Sequence, residues 1–280
     1  MNGVLRRFFR NRGALFGTLA LTCVVAIAVA APLLYDHSPW NMVGRPLIGA
    51  FTNPSYPFGT DMLGRDIGAG LAYGARVSIC ISLVATAVAV IIGIGIGALA
   101  GYYGGRLDDL LMRVTEFFQT VPQLAMAIVV VAIFTPSIYS IVGAIALVSW
   151  PPVARLVRGE LLSLREREFI QAAIVIGLRP SQVIFQQILP NAMSPIIVTG
   201  SLMVATAILT ESSLSFLGLG DRTLMSWGFM IGASRTMLRE APMMSILPGI
   251  AILVTVLAFN LIGEGLNDAL NPQLRKREGA

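Results

Sequence analysis

The sequence predicts an all-α, polytopic membrane protein with six transmembrane helices, and three observations carry that prediction. Only 12% of the 280 residues are charged while 55% are hydrophobic, and the mean hydropathy is +0.77; soluble domains carry about 25% charged residues. Uncharged intervals at 13–35, 77–105, 117–154, 180–210 and 241–263 each reach the roughly 20 residues that take a helix across a hydrocarbon core. These runs are continuously apolar rather than alternating. In lipid, where every backbone group must bond internally, that selects helices over a closed barrel.

The first run, Ala14 to Leu34, follows Arg6, Arg7, Arg10 and Arg12. Its length and the lack of a small-x-small cleavage site before Tyr35 predict a retained span rather than a secretory signal. The loop at 36–76 is rich in Pro, Gly, Asn and Asp and contains FGTDMLGRD at Phe58 to Asp66; this is turn composition, which assigns no ligand.

The second span, from residue 77, closes with GIGIGALAGYYGG, in which Gly93, Gly97 and Gly101 are four apart and share one helix face. Small residues at that spacing let another helix approach closely. Gly93, Gly95 and Ala98 also spell G-x-G-x-x-A, but without a strand before it this is a packing seam and not a nucleotide fingerprint. Arg106 to Gln119 follows as an amphipathic helix, with Leu107, Leu110, Leu111, Val114 and Phe118 on one stripe opposite Arg106, Asp108, Asp109 and Arg113.

The interval 117–154 divides into a third and a fourth span at a turn, Thr135-Pro136-Ser137. Pro122 and the pair Pro151-Pro152 are either bends beside a pathway or helix-end residues. Ser163 with Glu166 fits a capping box, which predicts a helix from about Leu164. Phe169, Ala172, Ala173 and Ile176 then form one apolar stripe, with Arg165, Glu166, Arg167 and Glu168 crowding its first turns. Gly177 ends that helix, Pro180 permits another from Ser181, and Leu189-Pro190 opens the fifth span. The pattern fits a helix lying on lipid head groups as well as one docked in a partner's cleft.

Glu211 falls at the expected outer end of the fifth span and Glu264 near the inner end of the sixth, where interfacial placement or pairing with a neighbouring helix outweighs a proton relay. With the N-terminus inside, fourteen of the twenty basic residues fall on inner segments, including Arg275, Lys276 and Arg277. The positive-inside rule then puts both termini in the cytoplasm. The organisation is 1–76, with the first span and an outer loop; 77–267, the membrane domain with a cytoplasmic loop at about 156–190; and 268–280, a tail.

Chemistry within the chain is poorly supplied. A P-loop needs Gly-Lys-Ser/Thr, and the one lysine, Lys276, is flanked by Arg275 and Arg277. The one histidine, His37, reads as a surface or interfacial residue, and Cys23 and Cys80 as small core residues, so neither a zinc site nor a disulfide is expected. Basic residues cluster at span ends rather than on one face, which argues against nucleic acid.

Several segments together resemble one family, the inner-membrane permease subunits of binding-protein-dependent ABC importers, in particular the second, C-type permease of the dipeptide, oligopeptide and nickel group. They are FGTDMLGRD, YGARVS at Tyr73 to Ser78, AGYYGGRLDDLLMR at Ala100 to Arg113, ARLVRGELLSLREREF at Ala154 to Phe169, ESSLSFLGLG at Glu211 to Gly220, SWG at Ser226 to Gly228 and FNLIGEGLNDALNP at Phe259 to Pro272. The family's loop motif falls on Gln171, Ala172, Ala173, Gly177, Leu189 and Pro190, with Gln171 where relatives have Glu, and Glu264 and Asn267 stand where they have Asp and Arg.

The resemblance implies the type I ABC importer permease fold and a heterodimer with a homologous permease. It implies a coupling helix that carries Glu168 and the motif residues into a groove on a cytoplasmic ATPase, one of two such subunits. ATP and Mg would be bound by those subunits and no cofactor by this chain, and a periplasmic or lipid-anchored binding protein would deliver substrate. Di- or oligopeptides are the expected cargo, with nickel chelate or glutathione as alternatives; an ion-gradient-driven carrier would need repeats and paired intramembrane charges that the sequence does not clearly show.

Overall fold

The structure, a computed structural model, describes residues 2–270. Asn271, Pro272, Arg275, Lys276 and Arg277, and with them most of the expected tail, lie outside the described residues. The helices are α1 (Asn2–Arg10), α2 (Arg12–Leu34), α3 (Ile67–Tyr103), α4 (Gly105–Thr120), α5 (Gln123–Ile133), α6 (Ile138–Arg165), α7 (Glu168–Val175), α8 (Pro180–Gln182), α9 (Leu189–Leu214), α10 (Trp227–Ser234) and α11 (Met243–Leu270). No strand occurs among the described residues beyond isolated bridges inside the 35–66 loop, such as Met42 with Arg65.

Five segments are long and apolar enough to cross a membrane: α2, α3, α6, the continuous helical run Pro180–Leu219 and α11. The sixth expected span is a bent pair, α4 and α5 meeting at 90°. With 11 residues α5 is about 16 Å long, half a hydrocarbon core. The break sits at Pro122, whose ring drives the preceding Val121 into extended backbone (φ −91°, ψ 133°). Pro151 and Pro152, in contrast, lie within α6 without interrupting it.

The second span starts ten residues earlier than its charge-free interval. Asp66 caps α3, its carboxylate accepting from the Gly68 N–H at 2.8 Å, so Tyr73 to Ser78 are helix rather than loop. His37 is half-buried beside that cap, its Nε2 3.5 Å from Asp66 Oδ2. Among the described residues no cluster of potential metal ligands forms.

α3 and α6 run parallel and almost touch. A Cβ built on Gly93 would lie 2.5 Å from Val153 Cβ; on Gly97, 2.8 Å from Val157 Cβ and closer still to the Ala154 carbonyl; on Gly101, 2.8 Å from Leu161 Cβ. Gly95, on the same helix, has nothing within 4 Å. α11 lies antiparallel on α2, where Gly17 faces the Ala258 carbonyl and Gly265 faces Ala14. Ile81, Ala85, Val131, Ile141, Ile145 and Leu214 fill the centre between α3, α5, α6 and α9.

One side-chain expectation is reversed. Cys23 and Cys80 are free, as the missing disulfide requires, but they lie exposed on the outside of the bundle rather than in its core. On α4, Leu107, Leu110 and Val114 face outward while Asp108 and Thr115 are buried. The cause is an ion pair: Arg158 on α6 reaches both Asp108 oxygens, at 2.5 and 2.6 Å, so the bundle takes the polar face of α4. Only Leu111 and Phe118 of the stripe turn inward, Phe118 edge-on to Trp150.

At the other end of α6, Ser137 and Ser140 form a capping box, and the Ile138 N–H donates to Asp221 at 3.0 Å. Burial alone would raise the Asp221 pKa, but bonds from the Thr223 hydroxyl and amide and from the Ile138 amide outweigh it and hold the carboxyl below its usual range.

The glycine seam yields a controlled test. Gly97→Leu must force α3 and α6 apart and should destabilise the chain by about 3 kcal/mol or more, whereas Gly95→Ala should leave its thermal midpoint in detergent unchanged or slightly raised; equal midpoints for the two variants would refute the seam.

Candidate functional site: an apolar face at the α7 end

α6 does not stop at Ser163. Val153, Val157 and Leu161 along α6 are fully or almost fully buried against Ile170, Val183, Ile184 and Ile188, and that packing carries the helix through to Arg165. Ser163 therefore sits in the last turn of α6, Glu166 is its C-cap, and the capping box expected from Ser163 and Glu166 does not form. Arg167, in extended backbone (φ −72°, ψ 142°), starts α7 without a side-chain cap. Glu168 lies exposed in the first turn, where a negative charge suits the helix dipole.

Gln171 has a task that glutamate could not perform. Its Nε2 donates to the Arg165 carbonyl at 2.8 Å, satisfying one of the oxygens left open at the end of α6, and a carboxylate has no proton to give there. The end of α6 is also tied to α3: Arg165 donates to the Tyr102 carbonyl at 2.7 Å and lies over the Tyr102 ring.

α7 closes in a Schellman motif. Gly177 takes φ +91°, its N–H bonds the Ile174 carbonyl at 3.0 Å, and the Leu178 N–H bonds the Ala173 carbonyl at 3.2 Å. Arg179, again extended, leads into Pro180 at the first position of α8. A π-helical turn, Val183–Ile188, then feeds α9: the Leu189 N–H bonds Ile184, five residues back, just before Pro190, which has no N–H to offer. Leu189 is half-buried and Pro190 exposed.

The buried side of α7 is not the expected stripe. Ile170 and Ala173 face the bundle, while Phe169, Ala172 and Ile176 face away from it. Val175 is 85% exposed, Ile176 81%, Phe185 62% and Phe169 47%. The segment 169–185 thus presents large apolar side chains, flanked by the exposed Arg167, Glu168 and Arg179, on a scaffold whose backbone is pinned at both ends. Patches of this kind mark contact surfaces, with protein or with membrane.

The opposite end holds a group whose burial the sequence did not reveal. Glu211 is 1% exposed, not interfacial, and accepts from Ser215 and Ser226 at 2.8 Å each, with Ser78 and Ser212 at 3.5 Å. Ser78 in turn accepts from the Trp227 N–H at 3.2 Å. One carboxyl thereby joins α3, α9 and α10. The i, i+4 spacing of Glu211 and Ser215 was the available clue. Glu264 is exposed, as an interfacial residue would be.

The geometry is that of a polytopic helical membrane protein with membrane-crossing helices packed on a glycine seam and an apolar face exposed at one end. Residues 93–276 match the family described as binding-protein-dependent transport system inner membrane component, and residues 1–48 match the N-terminal TM domain of oligopeptide transport permease C. The chain belongs to the family of binding-protein-dependent transport system inner membrane components.

It is 41% identical to the dipeptide transport system permease protein DppC of Alkalihalophilus pseudofirmus, over 95% of this chain and 88% of that one. It is 38% identical to the oligopeptide transport system permease protein OppC of Bacillus subtilis, over 96% and 88%. It is also 38% identical to the glutathione transport system permease protein GsiD of Pectobacterium atrosepticum, over 96% and 90%. An inward-facing structure of the MetNI methionine ABC transporter shares the fold, with a TM-score of 0.56 at 18% identity over 70% of this chain and 96% of that one. The fold is that of ABC importer permeases, a family in which separate ATPase subunits hydrolyse ATP.

The Schellman turn can be tested directly. Gly177→Ala should cost about 1–2 kcal/mol locally, for a side chain in left-handed backbone, and Gly177→Pro more, since proline cannot reach φ +91° and removes the N–H to Ile174. Hydrogen exchange should speed up in α7 alone while the global thermal midpoint moves little; unchanged exchange in α7 would contradict the assignment.

Proposed function

We propose that the chain is the C-type permease of a bacterial inner-membrane importer of di- or oligopeptides, with both termini in the cytoplasm and the 169–185 face docked on a cytoplasmic ATPase. The observation that carries the reading is the pairing of that exposed apolar face with the arginine-rich end of the bundle, where Arg106, Arg113, Arg155, Arg158, Arg165, Arg167 and Arg179 gather. Arginines at span ends favour the cytoplasmic side, and there no other part of the chain covers Val175 and Ile176.

In this arrangement the chain pairs with a homologous permease to line the pathway. Two ATPase subunits carry ATP and Mg, and a periplasmic or lipid-anchored binding protein supplies cargo. Ala172, Val175 and Ile176 enter the ATPase groove. Gly177 sets the angle between the two arms of the loop, and Gln171 fixes α7 to α6 rather than pairing with a partner's cation. ATP acts on the pathway only through a difference in affinity between the inward- and outward-facing states. Peptide cargo is supported by the DppC and OppC relatives; glutathione, itself a tripeptide, is supported by GsiD.

Val175→Asp with Ile176→Asp, both at exposed positions, should leave membrane insertion and pairing with the sister permease intact. The ATPases should fail to co-purify, and uptake by the complete importer should fall at least about tenfold, a docking loss of about 1.4 kcal/mol or more. Wild-type co-purification and uptake in that variant would refute the docking face, and uptake by this chain alone, in liposomes without ATPases, would refute the permease reading itself.

A further inference from the structure

The end of the bundle away from α7 contains an open cavity of about 140 Å³ between the last turn of the α9 run and α10, lined by Ser215, Phe216, Gly232, Arg222 and Arg235 among others. Its floor is closely packed: a Cβ on Gly232 would lie 2.9 Å from the Ser215 carbonyl, and one on Gly220 2.9 Å from the Ser215 Cβ. The run turns here at Gly218, whose φ is +85°.

The charges of the cavity are of one sign. Arg222, from the loop before α10, and Arg235, at its C-cap, both line it, and no acidic residue lines it. Neither guanidinium has a hydrogen bond or ion pair to another described residue. Asp221, the adjacent carboxylate, is turned away to the Ile138 N–H at 3.0 Å and to the Thr223 hydroxyl and amide. Two unneutralised guanidiniums over a concave floor of serine, glycine and phenylalanine suit a planar anion, which arginine holds through two parallel N–H bonds.

We infer that this cavity binds the terminal carboxylate of a peptide at the mouth of the pathway, with Arg222 and Arg235 as its ligands. The inference rests on the peptide-permease reading and adds to it a contact between the permease and its cargo. Carboxylate fits better than a larger anion because the volume admits one such group and the carbon that bears it, not a whole peptide; ligand pockets that enclose small molecules run to about 300–1,000 Å³. The site also touches the joint held by Glu211, since Ser215, which lines the cavity, donates to that carboxyl at 2.8 Å. A carboxylate seated there bears on both sides of the contact between α9 and α10.

The test uses the full chain in detergent with phenylglyoxal, which modifies exposed arginines, read residue by residue by mass spectrometry. The dipeptide Ala-Phe should slow modification of Arg222 and Arg235 at least threefold, with Arg45 and Arg239, exposed on the same end, unaffected. Ala-Phe with an amidated C-terminus should not protect, and Arg222→Ala should abolish protection of Arg235. Equal protection by the amidated peptide, equal protection by inorganic phosphate, or no protection at all would overturn the carboxylate site. Because nothing in this measurement requires ATPases or transport, its failure is distinct from a failure of the permease reading, which is decided by uptake.

Discussion

The structure depends on the close approach of α3 and α6. In hydrocarbon, apolar side chains gain little by leaving lipid for one another, so helices associate where van der Waals contact is densest, and that requires backbones to come near. Gly93, Gly97 and Gly101 provide this on α3, and α6 answers with Val153, Val157 and Leu161 and its own carbonyl oxygens. The parallel course of the two helices brings their C-terminal ends to the same level. There the polar ties begin: Arg158 with Asp108 of α4, and Arg165 with the Tyr102 carbonyl. What the glycines set by distance, the arginines fix in rotation, and α7 inherits both.

How much of this could be read from the sequence depends on the kind of interaction. Span existence follows from charge-free length, so α2, α3, α6, the α9 run and α11 were legible, as were the glycine face, the turn at Gly177 and the start at Pro180. Facing directions were not. The amphipathic pattern of α4 placed it at a surface but did not say which charged residue meets the bundle, and Asp108 turns in because its partner lies fifty positions away on α6. Ser163 and Glu166 satisfy a local capping rule, but the burial of Leu161 carries α6 past Ser163 to its end at Arg165. In a chain surrounded by lipid, hydrophobicity no longer separates inside from outside, and this is also why Cys23 and Cys80 could be taken for core residues and Glu211 for an interfacial one.

The two ends of the bundle solve the problem of backbone ends differently. At the α7 end the open carbonyls are closed by side chains and turns that leave apolar groups outside: Gln171 on Arg165, and the Schellman bonds to Ala173 and Ile174. At the other end the polar groups turn inward, with four serines around Glu211 and Trp227 donating to the Leu71 carbonyl at 3.0 Å. The first leaves large apolar side chains exposed on a pinned backbone. The second is a sealed joint, with a fully satisfied network that holds three helices in one arrangement.

α9 connects the two. It is 26 residues long, about 39 Å at 1.5 Å per residue, and a π-helical turn stands at each end, Val183–Ile188 beside α7 and Ser215–Leu219 beside α10. A π turn widens the ring of backbone bonds locally, so bending concentrates there and not along the rod. Pro190 and Pro195 lie within two turns of the α7 end and add freedom at that joint alone. A displacement of α7 would reach the far end of α9 as movement of a nearly rigid element. At that end it would meet the junction where Glu211 grips Ser215 on one side and Ser226 on the other. The apolar face at the α7 end and the Glu211 junction are thus the opposite termini of one helical run, and a displacement carried along it would either move the Glu211 junction as a unit or break its serine contacts.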